Sequence, residues 1–272
     1  PAFVDVDEDT YNISCESLIT KINQYPKSEL SNSAIIAVDL FGLPADYITI
    51  CDIAMNSGLH LISDAAQSFG GSIGSQKVGK LSPITTTSFY PTKPLSCYGD
   101  GGAVFTDDDE IAMKIKSIRS HGITDNPYEN VRIGTNARFD AIQAAVILSK
   151  LKIFDEELSR RESTSHIYNQ ELKNIVKTPI TTNQVKSAWA HYTIRTRDRD
   201  GLREFLTKNS IPTMIYYPKG MHEQTAYQKY HNGDPLIVSE KLCGEVLSLP
   251  LHPYMSENQV YYVSGKVKEF IG

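Results

Sequence analysis

Short runs of β-branched and aliphatic residues alternate with stretches of helical periodicity through the first half of the chain, and this alternation limits the fold more than any other feature. Ala34-Ile35-Ile36-Ala37-Val38-Asp39-Leu40 reads as a strand. Residues 45–56 place Ile48, Cys51, Ile53 and Ala54 on one helical stripe that stops at Gly58, the favoured left-handed terminus. Leu59-His60-Leu61-Ile62 is the next strand. Strands joined by helices of this length lie parallel in a sheet covered on both faces, and such sheets take ligands at the carboxyl ends of their strands. Asp64 stands at such an end.

The same reading extends in both directions. Residues 2–7 alternate as a strand already under way at Pro1, and residues 16–25 are helical. A glycine-rich passage, 68–82, leads to Thr85-Thr86-Thr87 and then Ser88-Phe89-Tyr90-Pro91-Thr92-Lys93-Pro94, where the flanking prolines forbid helix or central strand and hold Lys93 on a constrained turn. Gly99-Asp100-Gly101-Gly102 turns into a strand at 103–106, and Asp107–Asp109 cap a helix that His121-Gly122 ends. A long helical pattern from Asp140 is expected to carry Ile142, Ala145, Val146, Leu148 and Leu151 inward, with a charged continuation at 155–161 linking two bodies. Beyond Lys177 the elements shorten, with a strand at 189–195 and a helix at 200–209. The expected fold class is α/β, a mostly parallel sheet with a smaller C-terminal α+β domain, divided into a large domain at 1–150 and a linking helix with the small domain at 151–272.

Composition removes several classes of function. The 27 Lys+Arg against 32 Asp+Glu give a formal charge of -5, without the dense basic run that a phosphate backbone requires, so no nucleic-acid partner is expected. The apolar stretch 34–43 is broken by Asp39 and falls short of the roughly 20 residues that cross a bilayer, so no membrane partner is expected. Cys15, Cys51, Cys97 and Cys243 are scattered without metal-ligand spacing or disulfide density, which implies no metal site and a reducing cytoplasm.

Two segments carry candidate chemistry. In Asp64-Ala65-Ala66-Gln67 a carboxylate at a strand end, followed by small residues, suits a flat ligand with a cationic ring nitrogen; it equally suits a capped turn. Lys93, on its stiff turn beside Phe89 and Tyr90, becomes a nucleophile if burial lowers its pKa from about 10.4. Otherwise it is a solvated loop lysine.

Taken together, Asp-Ala-Ala-Gln-Ser-Phe-Gly (64–70), Ser-Phe-Tyr-Pro-Thr-Lys (88–93) and Tyr-Gly-Asp-Gly-Gly-Ala-Val-Phe-Thr (98–106), in that order, resemble the pyridoxal-phosphate sugar aminotransferases of the DegT/DnrJ/StrS family. Further matching blocks are Phe3-Val4-Asp5-Val6-Asp7, Arg119-Ser120-His121-Gly122, Gly134 to Asp140 with Gln143-Ala144-Ala145, and Ser248-Leu249-Pro250-Leu251-His252-Pro253. The run from Thr87 to Gly102 looks most like the members that aminate C3 of UDP-2-acetamido-2-deoxy-3-oxo-glucuronate for surface-polysaccharide (O-antigen-type lipopolysaccharide) synthesis.

The resemblance implies the aspartate-aminotransferase-like fold, PLP fold type I. It implies pyridoxal 5'-phosphate held on Lys93 as an internal aldimine, Asp64 at the pyridine nitrogen, Gln67 at the ring hydroxyl, Ala66 against the ring and Ser88 at the phosphate. Asn136 would reach the cofactor of a neighbouring subunit, making a homodimer with shared active sites, and Arg138, Tyr216 and Tyr217 would lie near a UDP-sugar that receives nitrogen from L-glutamate. Asn136, Ser88 and Gln67 also suit turns or solvent, and Arg138 an ion pair with Asp140. The family carries roughly a further quarter of its length before the segment matching Pro1, including a phosphate-binding Gly-Thr or Gly-Ser turn, so a chain limited to these residues is expected to hold the cofactor poorly. Tyr216 stands where many relatives have histidine. Two rivals are the dehydratase branch, opposed by Lys93 itself, and a truncated non-catalytic remnant acting as a binding or regulatory protein.

Overall fold

The structure, a computed structural model, describes residues 1–180 and 184–272. The first residues are not a strand. Asp7 Oδ1 accepts Thr10 N (2.8 Å) and Thr10 Oγ1 (2.9 Å), which folds the segment back on itself, and its one β-bridge among the described residues is Val6–Ile13. Asn12, buried, fastens this turn to the body through Leu43 O and Leu40 N. Helix α1 (Cys15–Ile22), capped by Ser14, and the short α2 (Lys27–Leu30) follow.

Strand β1 (Ala34–Val38) leads through α3 (Tyr47–Ser57) to β2 (His60–Asp64), parallel to β1 with Val38 opposite Asp64. Gly58 ends α3 at φ +69°, as its sequence requires. The buried stripe of α3 is Tyr47, Ile50 and Ala54; Ile48, expected inside, is 68% exposed. The polar-headed Tyr47 displaces it because its hydroxyl finds buried partners in Asp39 (2.8 Å) and Ser63 (2.6 Å). After the hairpin β3 (Ser72–Ile73) and β4 (Gln76–Lys77), β5 (Ile84–Ser88) runs parallel to β2, and β6 (Gly102–Phe105) returns antiparallel, giving the order β1-β2-β5-β6. One sheet face packs on α1 and α3 through Leu18, Ile35, Ala37, Ile50 and Leu61. The opposite face is not covered as expected, for Ile36 (61%), Val38 and Val104 are exposed there.

Helix α4 (Asp109–Ile118) is capped by Asp108. The long helical pattern resolves into α5 (Ala141–Leu151) and α6 (Phe154–Leu172), with the break at Lys152-Ile153. On α5 only Ile147 is buried, while Ile142 (79%), Leu148 (65%) and Leu151 face outward. The helix is apolar on more than one side, so periodicity alone could not say which side the chain itself covers. Strand β7 (Val185–Lys186) pairs with β3, and β8 (Tyr192–Arg195) pairs antiparallel with β9 (Val246–Leu249). Between and after them lie α7 (Arg199–Lys208), α8 (Ile237–Glu245) and α9 (Glu257–Ile271). The expected strand at 189–195 starts only at Tyr192, since Trp189 takes φ +49°.

A second core gathers Tyr168, Tyr192, Leu202, Leu206, Leu247 and Val260. Its separation from the core beneath β1 and β2 supports the 1–150 and 151–272 division, which we propose. The β3–β7 pairing and a cluster of Tyr11, Phe41, Leu242 and Val246 tie the two parts together.

Candidate active site

The site assembles at the carboxyl edge of the sheet because three neighbouring strands end there. Register fixes who meets whom. Asp64 pairs with Thr86, and Ser88 lies two residues further along β5, so Asp64 and Ser88 project from the same face. Asp64 Oδ1 accepts the Ala66 N–H (3.1 Å), a turn contact that occupies one of its two oxygens. The capped-turn reading is therefore seen in the structure, and the second oxygen is left without a protein partner among the described residues. Ser88 Oγ accepts Tyr90 N (3.2 Å).

The turn after β5 is stitched by Lys93 N to Tyr90 O (2.9 Å) and Cys97 N to Phe89 O (2.8 Å), while Phe89, Leu95 and Cys97 sink into an apolar cluster with Ile147 and Phe154. Lys93 is consequently presented half-buried, and among the described residues its amine has no hydrogen bond or ion pair. Burial pushes that amine below the ordinary lysine value, with the Asp64 carboxylate pulling the other way. The side chain is thus on a loop, as both readings have it, and partly withdrawn from solvent.

Gln67 is buried, not solvated: its Oε1 accepts Phe41 N (2.6 Å) and its Nε2 faces the Tyr217 hydroxyl at 3.5 Å. Tyr217, half exposed, also feels the Asp64 charge, and burial raises its phenol pKa. The Tyr216 and His191 rings pack tilted by 40°, with centroids 4.3 Å apart. Ala66 follows Asp64 on the same turn, partly exposed. Asn136 and Arg138 are not brought to this group. Both are exposed, Arg138 Nε donates to Asn136 Oδ1 (3.1 Å), and among the described residues Arg138 forms no ion pair with Asp140, one of the alternatives for it. The Ser120–Asn136 bridge holds their loop.

Two residues lay outside the sequence reading. His191, largely buried, is pushed down to about 4, first by burial and then by Lys93 and Arg161, so its ring is neutral near pH 7. Asp39, at the end of β1, is fully buried and accepts Ser68 Oγ, Ala45 N (2.9 Å) and Tyr47 Oη (2.8 Å); burial raises its carboxyl to about 6. Position alone, one residue beyond a strand end, was the available signal for Asp39. Nothing in the local sequence marks His191.

This donor set suits pyridoxal phosphate. An amine free of partners meets the need for attachment to an aldehyde, an uncommitted carboxylate oxygen suits a protonated ring nitrogen, and a hydroxyl at the next strand end suits phosphate. No group of His, Cys, Asp and Glu among the described residues could hold a metal ion, and none of their helices is long and apolar enough to cross a membrane.

Comparison with known proteins agrees with the geometry. The DegT/DnrJ/EryC1/StrS aminotransferase family matches residues 1–268. A UDP-2-acetamido-2-deoxy-3-oxo-D-glucuronate aminotransferase of Pseudomonas aeruginosa is 40% identical over 256 residues, covering 94% of this chain and 69% of that protein. The crystal structure of a DegT/DnrJ/EryC1/StrS aminotransferase from Brucella abortus superposes with a TM-score of 0.95 at 46% identity, over all of this chain and 74% of that one. NtdA of Bacillus subtilis, solved with bound PMP cofactor, superposes with a TM-score of 0.86 at 28% identity, over 98% of this chain and 62% of that one. With the aspartate-aminotransferase-like fold of pyridoxal-phosphate enzymes in place, the chain belongs to the DegT/DnrJ/EryC1/StrS aminotransferase family, an enzyme of the pyridoxal-phosphate-dependent sugar aminotransferase class.

Proposed function

We propose that the protein transfers an amino group from L-glutamate to the keto group of a UDP-linked sugar, within surface-polysaccharide synthesis in the cytoplasm. The observation that carries the reading is the half-buried Lys93 amine, without a partner among the described residues, within electrostatic reach of Asp64 at the carboxyl edge of the sheet. The 40% identity to the Pseudomonas aeruginosa enzyme supports the substrate class. The non-catalytic alternative is not favoured, since a remnant has no use for an amine kept free and partly desolvated.

Bound pyridoxal phosphate supplies an electron sink for the bond broken at the donor's Cα. Lys93 would hold the cofactor, and its Nζ, made less basic by burial, would serve as the base and acid that moves the donor's Cα proton. Asp64 would keep the ring nitrogen protonated. Gln67 would meet the ring hydroxyl, Ala66 the ring face and Ser88 the phosphate, while Tyr216 and Tyr217 border the sugar. Packing of the Lys93 turn on the apolar cluster of Phe89 and Leu95 limits water at the amine.

Asn136 and Arg138 have no partner near Lys93 in their own chain, and the outward apolar face of α5 is adjacent in sequence. Both features support a homodimer in which these two residues complete the neighbour's site. The test is an assay of the cofactor-loaded protein against a panel of keto-sugar nucleotides, with glutamate consumption as readout. Turnover of a UDP-3-keto sugar is expected; turnover confined to non-nucleotide ketones would overturn the substrate class.

A further inference from the structure

Lys93 borders a second space, a cleft of about 340 Å³ walled by the Pro91–Ser96 turn, by α5 and α6, and by the Leu251–Tyr254 segment. Its charged lining is unbalanced. Lys150 Nζ donates to Ser96 Oγ (3.1 Å) and lies 4.8 Å from the Tyr98 ring centre, with no carboxylate partner. Arg161 is only 8% exposed, yet of its five N–H donors just one is engaged among the described residues, Nη1 to Trp189 O (3.0 Å). Its Nε is sealed without an acceptor, and among the described residues Arg161 forms no ion pair. The one carboxylate in the lining, Glu157, accepts the Tyr254 hydroxyl (2.5 Å) and acts on Arg161 through space without forming an ion pair with it.

A guanidinium buried with idle donors is costly unless something anionic completes it. We propose that this cleft seats a carboxylate of the amino donor, with Arg161 as the buried cation that receives it and Lys150 as a second, outer one. The inference rests on the transaminase reading and adds to it a binding residue outside the Asp64 and Gln67 cluster. The donor's amine must come to the cofactor carried by Lys93, and Lys93 is itself part of the cleft wall. The volume is at the low end of the roughly 300–1,000 Å³ of small-molecule sites, which suits an amino acid and leaves the bulkier nucleotide sugar to the Gln67 and Tyr217 side. With Nε sealed, the carboxylate would meet the guanidinium end-on, through the N–H groups of Nη1 and Nη2 that Trp189 O leaves free.

The experiment uses glutarate, a dicarboxylate without the reacting amine, titrated calorimetrically into the cofactor-loaded protein with and without UDP. Glutarate should bind, compete with L-glutamate and leave UDP binding unchanged. Arg161→Gln should weaken glutarate about 30-fold or more, since it removes one partner of a buried charge pair, and Lys150→Gln roughly two- to fivefold. Should Arg161→Gln fail to fold, as circular dichroism would show, the Lys150→Gln titration and the competition pattern decide. Undiminished glutarate affinity in a folded Arg161→Gln protein, no binding to the wild type, or displacement by UDP but not by glutamate would each overturn the proposal; the last would give the carboxylate to the sugar. If no amino acid drives the half-reaction while glutarate still binds through Arg161, the carboxylate seat stands and the transaminase reading is what fails.

Discussion

Gln67 offers the sharpest test of how the sheet edge is joined to the tyrosine arm. Its Oε1 is the acceptor for the buried Phe41 N–H at 2.6 Å, and its Nε2 faces Tyr217. Gln67→Leu keeps the volume and removes both polar ends, so the Phe41 amide loses its partner. An orphaned buried amide costs about 1–3 kcal/mol, which in a chain of this size corresponds to a fall in melting temperature of roughly 2–12 °C. Gln67→Glu restores an acceptor but places a second carboxylate within reach of Asp64. Burial and like charge would raise that glutamate's pKa above its unfolded value of about 4.3. Its favourable contribution is then present below that value and lost as pH rises through the raised one. Thermal melts followed by circular dichroism from pH 4 to 8 should therefore show Gln67→Leu low throughout, and Gln67→Glu near wild type at pH 4 but falling behind at pH 8. A Gln67→Leu protein that melts with the wild type would refute the buried-acceptor argument.

Other consequences are as specific. Asp39, raised to about 6 by burial, contributes stability that is intact below about pH 3.9 and lost as pH rises through 6, on the order of 2–3 kcal/mol; Asp39→Asn should flatten this part of the melting profile, and an unchanged profile would argue against it. Gly122 sits at φ +79°, where a Cβ would come within 1.8 Å of Arg132 O, so Gly122→Ala should cost more than about 1 kcal/mol and speed proteolysis of the loop that carries Asn136. Unaltered cleavage would show that the loop accommodates the methyl group. The double change Ile142→Lys with Leu148→Lys, on the outward face of α5, should halve the mass seen by sedimentation without lowering the monomer's helix content; an unchanged mass would move the interface elsewhere.

The alternation of strands and helices in the first half was legible because each element carries its own period and its own stop signal, as Gly58 does for α3 and Asp108 for α4. The placement of Asp64 and Lys93 was legible for a related reason: a strand end and a proline-braced turn are local features. Register then determines that Asp64 and Ser88 share a face, something only strand pairing can supply. Burial was harder to read. Ile48, Ile142 and Leu148 are apolar at helical spacing yet exposed, because periodicity reports which residues align and not what covers them. The opening segment misled in another way, since alternation without a neighbouring strand edge yields a turn. His191, Asp39 and Arg161 owe their character to distant contacts, and the local sequence around them has no pattern that reports such contacts.

The account turns on the Lys93 amine. Reducing the cofactor-loaded protein with borohydride and mapping its peptides by mass spectrometry should place a single pyridoxyl label on Lys93. A label on any other lysine, or a protein that binds the cofactor without forming a reducible bond, would contradict it.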